Sequence, residues 1–333
     1  MDSLTQIVLG AAVGEATLGK KVGNKAVLYG AIAGTIPDLD VLFGKLTDTI
    51  TAIEWHRGLS HSLLFSMLMA CLLGWWVNRV EQKANLGWKP WATLFFLGLF
   101  THAILDAFTS WGTQLLWPIQ TRFTWSSIFV IDPLYTLPFL VCTIVVLFYK
   151  RDSKGRRRWN TVGLLISTSY LIATLGIKVV ATQQFKKALN DQGISYTQLS
   201  TRPAPLTTFL WNANVETKDA YLIADYSFFD SQPIQFKSYP KQRHLAKDLM
   251  QYRNVQRLIT ISEGWYIIEQ KDDQLIFNDL RFGLIHRKDG TSFFSFSYLL
   301  ELENNSITAT ETPKTKRDAQ FLMQRLWERV KGN

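Results

Sequence analysis

The chain of 333 residues is long enough for two domains or one large one, and its net charge of +9 is spread unevenly. Residues 1–181 are apolar and rich in Trp, Leu and Phe, whereas 185–333 are mixed and polar, so the mean hydropathy of +0.02 hides a split. The basic residues of the first part lie in short loops between apolar runs, which favours a membrane protein and excludes nucleic acid as the expected partner. Cys71 and Cys142 both fall inside apolar runs, so we expect neither a disulfide nor a metal site from them.

Six apolar segments predict a bundle of about six membrane helices. They are 3–19, 22–36, 59–78, 91–109, 131–149 and 161–181. The last four are long enough to cross about 30 Å of hydrocarbon. The first two are short and rich in Gly and Ala, and we interpret them as inner helices because small residues let helix backbones approach closely in a membrane. The start Met-Asp-Ser-Leu-Thr-Gln lacks the basic residues of a signal peptide, so we expect the first run to be retained.

The loops between these segments predict an orientation. The loops 20–25, 79–89 and 150–158 hold twelve Lys and Arg residues, whereas 37–58 and 110–130 hold three. Because positive loops stay in the cytoplasm, the N-terminus and everything after residue 181 are expected outside. The histidines and most carboxylates of the first half then lie near the outer face.

The second part of the chain predicts a different architecture. Aromatic and β-branched runs at 220–229, 257–269, 274–282 and 291–301 alternate with turn signals, which indicates strands. Residues 315–331 predict a closing helix. We therefore expect an α-helical membrane bundle over 1–184 and a mainly β, α+β soluble domain over 185–333, outside the membrane and ending in a helix.

Three short motifs place histidines and carboxylates beside the apolar runs. His102 and Asp106 are four residues apart, so on a helix they share a face and can hold one ion. Pro37-Asp38-Leu39-Asp40 follows the second run, and in an extended stretch its two carboxylates point the same way. The block 54–62, Glu-Trp-His-Arg-Gly-Leu-Ser-His-Ser, precedes the third run and contributes two imidazoles. Within that block we expect Ser60 to cap the next helix.

Each motif also has a purely structural interpretation. A His–Asp pair at this spacing is typical of a surface hydrogen bond, although burying it in a membrane without a purpose costs several kcal/mol. Asp38 and Asp40 fit a solvated turn at a helix end. Arg57 fits a salt bridge to Glu54 or Asp48 as well as it fits a clamp for an anionic group.

Together the motifs predict a metal site of three imidazoles and three carboxylates. The expected ligands are His56, His61, His102, Asp38, Asp40 and Asp106. This ligand set is typical of zinc, manganese or iron hydrolytic sites, and six ligands leave room for one or two ions. Gln6, Glu15 and Asp132 are second-tier candidates, as further ligands, a general base or partners that orient the histidines. Asp132 precedes Pro133 and fits a helix N-cap equally well.

These motifs resemble the YdjM-type family of bacterial membrane-bound metal-dependent hydrolases. The resemblance rests on Met-Asp-Ser-Leu-Thr-Gln, Pro-Asp-Leu-Asp, His-Arg-Gly-Leu-Ser-His-Ser and His-x-x-x-Asp, and covers about residues 1–150. It implies a multi-pass protein of the bacterial inner membrane. Many members carry His where this chain has Gln6. Because glutamine is a poor metal ligand, this departure implies one ligand fewer, or the loss of a second ion. The His-x-x-x-Asp is also distantly similar to zinc-dependent phospholipase C and P1 nuclease, which implies a phosphoester or lipid-linked substrate.

Two other classes of function stay open at this point. A transporter of metal or other ions would also place ionisable residues within a membrane, but along its full depth. A membrane scaffold would use the β domain to bind a partner and would not need the histidines. The expected partners are membrane lipid and a lipid-linked or anionic substrate, and the sequence leaves the oligomeric state open.

Overall fold

A computed structural model of the chain describes residues 1–303, 306–312 and 318–333. Apolar runs rich in Leu and Ala, two residues of high helical propensity, form the helices of the N-terminal part. These helices are α1 (Ser3–Val22), α2 (Asn24–Thr35), α3 (Asp40–Gly44), α4 (Thr49–Trp55), α5 (Leu63–Val80), α6 (Trp88–Ala107), α7 (Pro133–Phe148) and α8 (Lys154–Asp191). Short 3-10 turns lie at Ile36–Leu39, Leu59–His61 and Gln82–Ala84.

In the described residues, four helical stretches are long and apolar enough to cross a membrane. They are Asn24–Gly44, Leu63–Val80, Trp88–Ala107 and Lys154–Asp191. The expectation that 131–149 is long enough to span was wrong, because α7 has 16 residues and rises only about 24 Å. Asp132 caps its start and the chain turns extended at Tyr149. The second segment is longer than expected, because the 3-10 turn and α3 continue it beyond Thr35.

Close packing of α1 against α2 confirms the prediction made from their small residues. A Cβ atom built on Gly10 would lie 2.2 Å from the carbonyl oxygen of Gly30. One built on Gly14 would lie 2.1 Å from the carbonyl oxygen of Ala26. Only glycine allows the two backbones to approach this closely, as in other membrane helix pairs.

Two antiparallel sheets form the C-terminal part, and each sheet follows chain order. The first contains β1 (Gln198–Pro203), β2 (Leu210–Glu216), β3 (Ala220–Ser227) and β4 (Lys237–Pro240). The second contains β5 (Tyr266–Lys271), β6 (Gln274–His286), β7 (Ser292–Glu303) and β8 (Ser306–Glu311). The helices α9 (Arg243–Lys247), α10 (Arg253–Ile261) and α11 (Ala319–Val330) complete the described part. The predicted fold class, a helical membrane part followed by a mainly β domain, is confirmed.

Two details of the β domain differ from expectation. Residues 257–261 were expected in a strand but lie in α10, because Val255 and Leu258 are three residues apart and are buried together on one helical face. The closing helix begins at Ala319, after its cap Asp318, and the predicted start at residue 315 lies outside the described residues.

The chain divides into two compact units. The first comprises Met1–Leu46, Trp55–Ile177 and Pro205–Thr207. The second comprises Thr47–Glu54, Lys178–Ala204 and Thr208–Asn333. We call Thr47–Glu54 the α4 segment, since it contains most of α4. This segment lies between two of the motifs singled out above, yet it packs as part of the β domain.

Candidate metal centre

Four side chains of the first unit converge where several of its helices begin or end. Asp38 lies on the 3-10 turn after α2, and His61 on the 3-10 turn before α5. His102 and Asp106 lie on the last two turns of α6, on one face. One ligand atom from each of the four lies within 4.8 Å of the others. His61, His102 and Asp106 are fully buried, whereas the side chain of Asp38 is 23% exposed.

The distances within this group are short and similar. Nε2 of His61 lies 3.1 Å from Nε2 of His102. Oδ2 of Asp106 is 3.3 Å from the first nitrogen and 3.7 Å from the second. Oδ1 of Asp38 is 3.4 Å and 3.5 Å from the same two atoms. Ligands at about 2.0–2.1 Å in a tetrahedron are about 3.3–3.4 Å apart, so these spacings fit one zinc-sized ion.

Hydrogen bonds on the far side of each ring decide which nitrogen faces the centre. Nδ1 of His102 donates to the carbonyl oxygen of Gly34 at 2.7 Å. Nδ1 of His61 lies 2.9 Å from Oγ of Ser60, whose hydroxyl donates to Oδ2 of Asp40 at 2.8 Å. In the neutral rings both Nε2 atoms therefore carry lone pairs, as in metal-binding histidines.

A fully buried carboxylate oxygen completes this arrangement. Oδ2 of Asp106 lies 3.0 Å from Nε of Arg57, its ion-pair partner, but no donor forms a well-aligned hydrogen bond with it. Two nitrogen lone pairs and two carboxylate oxygens thus face one another in this site. The two carboxylates repel each other and the ring lone pairs unless a proton or a cation lies between them.

The pKa of His61, which lies just before α5, reflects the same surroundings. Burial lowers the pKa of its imidazole. Hydrogen bonds to Asp106 and Asp38 act in the opposite direction, and on balance the pKa is raised. The carboxylates that attract a proton to this ring also attract a metal cation, and the two compete for the same nitrogen.

Of the six predicted ligands, the structure brings four into this group and places Asp40 and His56 around it. Asp40 lies 3.0 Å from Nδ1 of His56 and 3.5 Å from Nδ1 of His61. The expectation that the carboxylates of Asp38 and Asp40 point the same way was based on an extended backbone, and it was wrong. The chain is instead a 3-10 turn entering a helix, where successive side chains rotate by about 120°, so the two carboxylates diverge.

Arg57 pairs with a ligand carboxylate. Its Nε lies 3.0 Å from Oδ2 of Asp106, and its Nη1 donates to Oγ1 of Thr109 at 2.7 Å. The two partners considered from sequence are engaged elsewhere. Glu54 binds Arg257, and Asp48 accepts hydrogen bonds from the first backbone amides of α4. Arg57 therefore places a buried positive charge beside the metal ligands.

Several contacts of the centre were missed or assigned differently from sequence. Gln6 donates to Oδ1 of Asp106 at 2.9 Å, and the α-amino group of Met1 donates to the same atom. Ser60 orients His61, whereas Ser62 caps α5. The backbone oxygen of Gly34 leaves no signal in a sequence, because any residue has one.

Glu15 and Asp132 have other partners. Nε and Nη2 of Arg156 donate to the two oxygens of Glu15 at 2.7 Å and 2.6 Å. Asp132 caps α7 and accepts a hydrogen bond from the hydroxyl of Tyr170 at 2.9 Å. Both carboxylates are thus occupied in holding helices together, and their predicted catalytic roles gain no contact with the four-residue group.

Comparison with known proteins identifies the family. The model of the family described as YdjM inner membrane protein matches residues 1–185. The chain belongs to the YdjM inner membrane protein family. The matched region contains all four residues of the candidate centre, together with Asp40, His56 and Arg57.

Two curated relatives match part of the chain. The Inner membrane protein YbcI of Escherichia coli (strain K12) is 35% identical over 104 residues, which are 30% of this chain and 58% of YbcI. The Uncharacterized protein YvsG of Bacillus subtilis (strain 168) is 30% identical over 100 residues, 28% of this chain and 57% of YvsG. The chain thus spans somewhat more than half the length of these relatives. No solved structure matches significantly, so the distant similarity to phospholipase C and P1 nuclease stays a prediction.

Proposed function

We propose that this YdjM-family protein is a membrane-embedded, metal-dependent hydrolase with its site at the outer face of the inner membrane. The observation that carries the proposal is the convergence of two imidazole lone pairs and two carboxylate oxygens around one buried point. His61, His102, Asp106 and Asp38 would hold the ion. Imidazole and carboxylate together favour zinc, while manganese and iron also accept this set.

Hydrolysis requires an open position at the metal, and Asp38 marks where it would be. It is the one partly exposed member of the group, whereas the other three are fully buried. Catalytic zinc keeps a position for an exchangeable water besides its protein ligands, and a bound ion would lower the pKa of that water to near 7. Asp40 and Ser60 keep the lone pair of His61 directed at the centre.

The surroundings support an anionic, lipid-like substrate. Leu39 is exposed on the turn that carries Asp38, Leu42 and Phe43 are exposed on α3 directly after it, and Leu59 is exposed beside Ser60. An apolar rim next to carboxylates suits a molecule with an acyl part and a polar head group. The positive charge of Arg57 favours a negative head group, and a phosphoester fits both requirements. Binding of membrane lipid to this rim is part of the proposal.

Hydrolysis by purified full-length protein tests the proposal. The protein would be reconstituted in nanodiscs with zinc and assayed on bis-p-nitrophenyl phosphate and short-chain phosphatidylglycerol. We expect phosphate-ester cleavage that falls at least about 100-fold in His102→Ala and Asp38→Asn. His286→Ala is the matched control, since His286 contacts Ser292 in the β domain. Zinc-loaded protein that cleaves neither substrate, or a His102→Ala variant as active as the wild type, would contradict hydrolysis.

A metal transporter is the second candidate, because charged and polar groups also lie deep in the bundle. Glu15, Arg156 and Asn160 are all buried there. They form hydrogen bonds with one another's helices, which suits a structural role better than a pathway. Zinc uptake into sealed liposomes above that of empty liposomes would favour transport over hydrolysis.

A further inference from the structure

We propose that the β domain holds the metal centre in its binding geometry through the α4 segment, with Arg257 as a positioning residue. The proposal rests on the proposed metal site, but the contacts that support it lie in the other unit. The α4 segment belongs to the β domain by its packing, while the chain on both sides of it belongs to the unit that carries the centre.

The α4 helix depends on the β domain for its order. It has seven residues, and isolated helices shorter than about 12–15 residues are marginal in water. Its one fully buried side chain, Ile50, is 1% exposed and joins the core around Leu258 and Phe277. Burial of a whole isoleucine side chain is a large apolar contact for so short a helix.

Arg257 of α10 binds the last residue of the α4 segment, which precedes the metal-site motif in the chain. Its Nε and Nη2 donate to the two oxygens of Glu54 at 2.9 Å and 2.7 Å. Nη2 also donates to Oγ1 of Thr51 at 2.8 Å. A bidentate pair of this kind fixes both distance and orientation. Glu54 is two residues before His56 and three before Arg57.

The two ends of this loop meet at the metal centre. The backbone amide of Arg57 donates to Oδ2 of Asp40 at 3.1 Å, which closes a loop over residues 41–56. The same carboxylate oxygen accepts from Ser60, which orients His61. Ordering a free residue costs conformational entropy. A loop already ordered by the β domain therefore lets Asp40, Arg57 and His61 meet at a lower cost than a free loop would.

Of the two residues in the Glu54–Arg257 pair, only Glu54 lies within the family match. The family match ends at residue 185, so it includes the α4 segment but not Arg257 or the core around Ile50. The β domain thus holds a segment of the family-matched part that lies between Asp40 and His56 in the chain. We infer that the domain sets the metal affinity of the centre by preorganising this loop.

Two arginine variants of the full-length protein test this inference. Arg257→Ala breaks the pair with Glu54. Arg329→Ala is the matched control, because Arg329 makes a similar two-oxygen pair with Asp230 elsewhere in the same domain. We expect zinc affinity, measured against a competing chelator, to fall about tenfold in Arg257→Ala and to stay unchanged in Arg329→Ala. Glu54→Gln, a milder change, should give a smaller loss in the same direction.

Hydrogen exchange of the zinc-free protein supplies a readout that does not depend on metal. Amides of residues 55–62 should exchange faster in Arg257→Ala, while those of α6 stay protected. The double variant Glu54→Arg, Arg257→Glu should restore slow exchange. Unchanged exchange at 55–62 in Arg257→Ala would overturn the inference even if the wild type binds zinc. A wild type that binds no zinc would contradict the proposed function instead, and the exchange data would still decide the role of Arg257.

Discussion

At the residue scale, the tautomer of His61 shows how the chain prepares a cation site. The hydroxyl oxygen of Ser60 accepts a hydrogen bond from Nδ1–H of His61 and its hydroxyl donates to Asp40, so Nε2 faces the carboxylates of Asp38 and Asp106. Those carboxylates raise the pKa of the His61 imidazole on balance, against the effect of burial. A proton and a metal ion are therefore direct competitors at one atom.

This competition predicts a pH dependence of zinc binding. Below the raised pKa of His61 the ring is protonated in the metal-free protein, so zinc must displace a proton. We expect full affinity well above this pKa, and a loss of about tenfold per pH unit below it. Because the pKa is raised, the loss should begin at a higher pH than for an ordinary histidine. Chelator competition between pH 5.5 and 8.5 measures it, and affinity that is constant down to pH 5.5 would contradict this account.

The Glu15–Arg156 pair allows a second test at the residue scale. It asks whether Glu15 stabilises the fold or takes part in catalysis. Arg156→Leu leaves the buried carboxylate of Glu15 without its partner, and breaking such a pair costs about 3–5 kcal/mol. We expect a lower thermal midpoint in detergent, with zinc content per folded molecule unchanged. The double variant Glu15→Leu, Arg156→Leu should recover much of the stability. Loss of zinc from folded Arg156→Leu would instead connect Glu15 to the centre.

At the element scale, the approach of α2 to α1 and α6 sets the position of the centre. Gly34 at the end of α2 supplies the carbonyl oxygen that orients His102. A Cβ atom on Gly98 of α6 would lie 2.6 Å from Cβ of Ala33. Glycine is thus needed where α1 packs on α2 and where α6 packs on α2. A larger residue at these contacts would push His102 and its acceptor apart.

A glycine pair tests this packing. Gly30→Val would place Cβ 2.2 Å from the backbone oxygen of Gly10, so we expect α1 and α2 to separate and stability to fall by at least about 1–3 kcal/mol. Gly176→Val in α8 is the control, because a Cβ there meets nothing within 4 Å. Thermal midpoints and zinc content of the two variants give the comparison. Equal midpoints for Gly30→Val and the wild type would show that the close approach is unnecessary.

The elements also show what the sequence could predict. The four-residue spacing of His102 and Asp106 and the positions of Asp38 and His61 beside apolar runs were enough to predict that these four residues converge. The positions of Asp40 and His56 were not predictable, because they depend on a 3-10 turn in place of an extended stretch. The partner of Glu15 was not predictable either, since Arg156 is 141 residues away in the chain.

At the scale of the whole molecule, the chain joins a YdjM-family helical part to a β domain that lies outside the family match. The uneven distribution of basic loops predicts that this β domain is outside the cytoplasm. Fusions at the C-terminus test the orientation. Alkaline phosphatase, which is active only in the periplasm, should be active when fused there. Green fluorescent protein, which folds only in the cytoplasm, should not fluoresce. The opposite pattern would reverse the orientation and move the metal centre to the cytoplasmic face.

The central claim, a cation held by Asp38, His61, His102 and Asp106, is tested most directly by metal analysis of the purified full-length protein. Wild type, His61→Ala and His286→Ala would be dialysed with zinc, freed of loosely bound metal and measured by plasma mass spectrometry. The account predicts about one zinc per chain in the wild type and in His286→Ala, and little or none in His61→Ala. Equal zinc in all three proteins, or none in any, would contradict it.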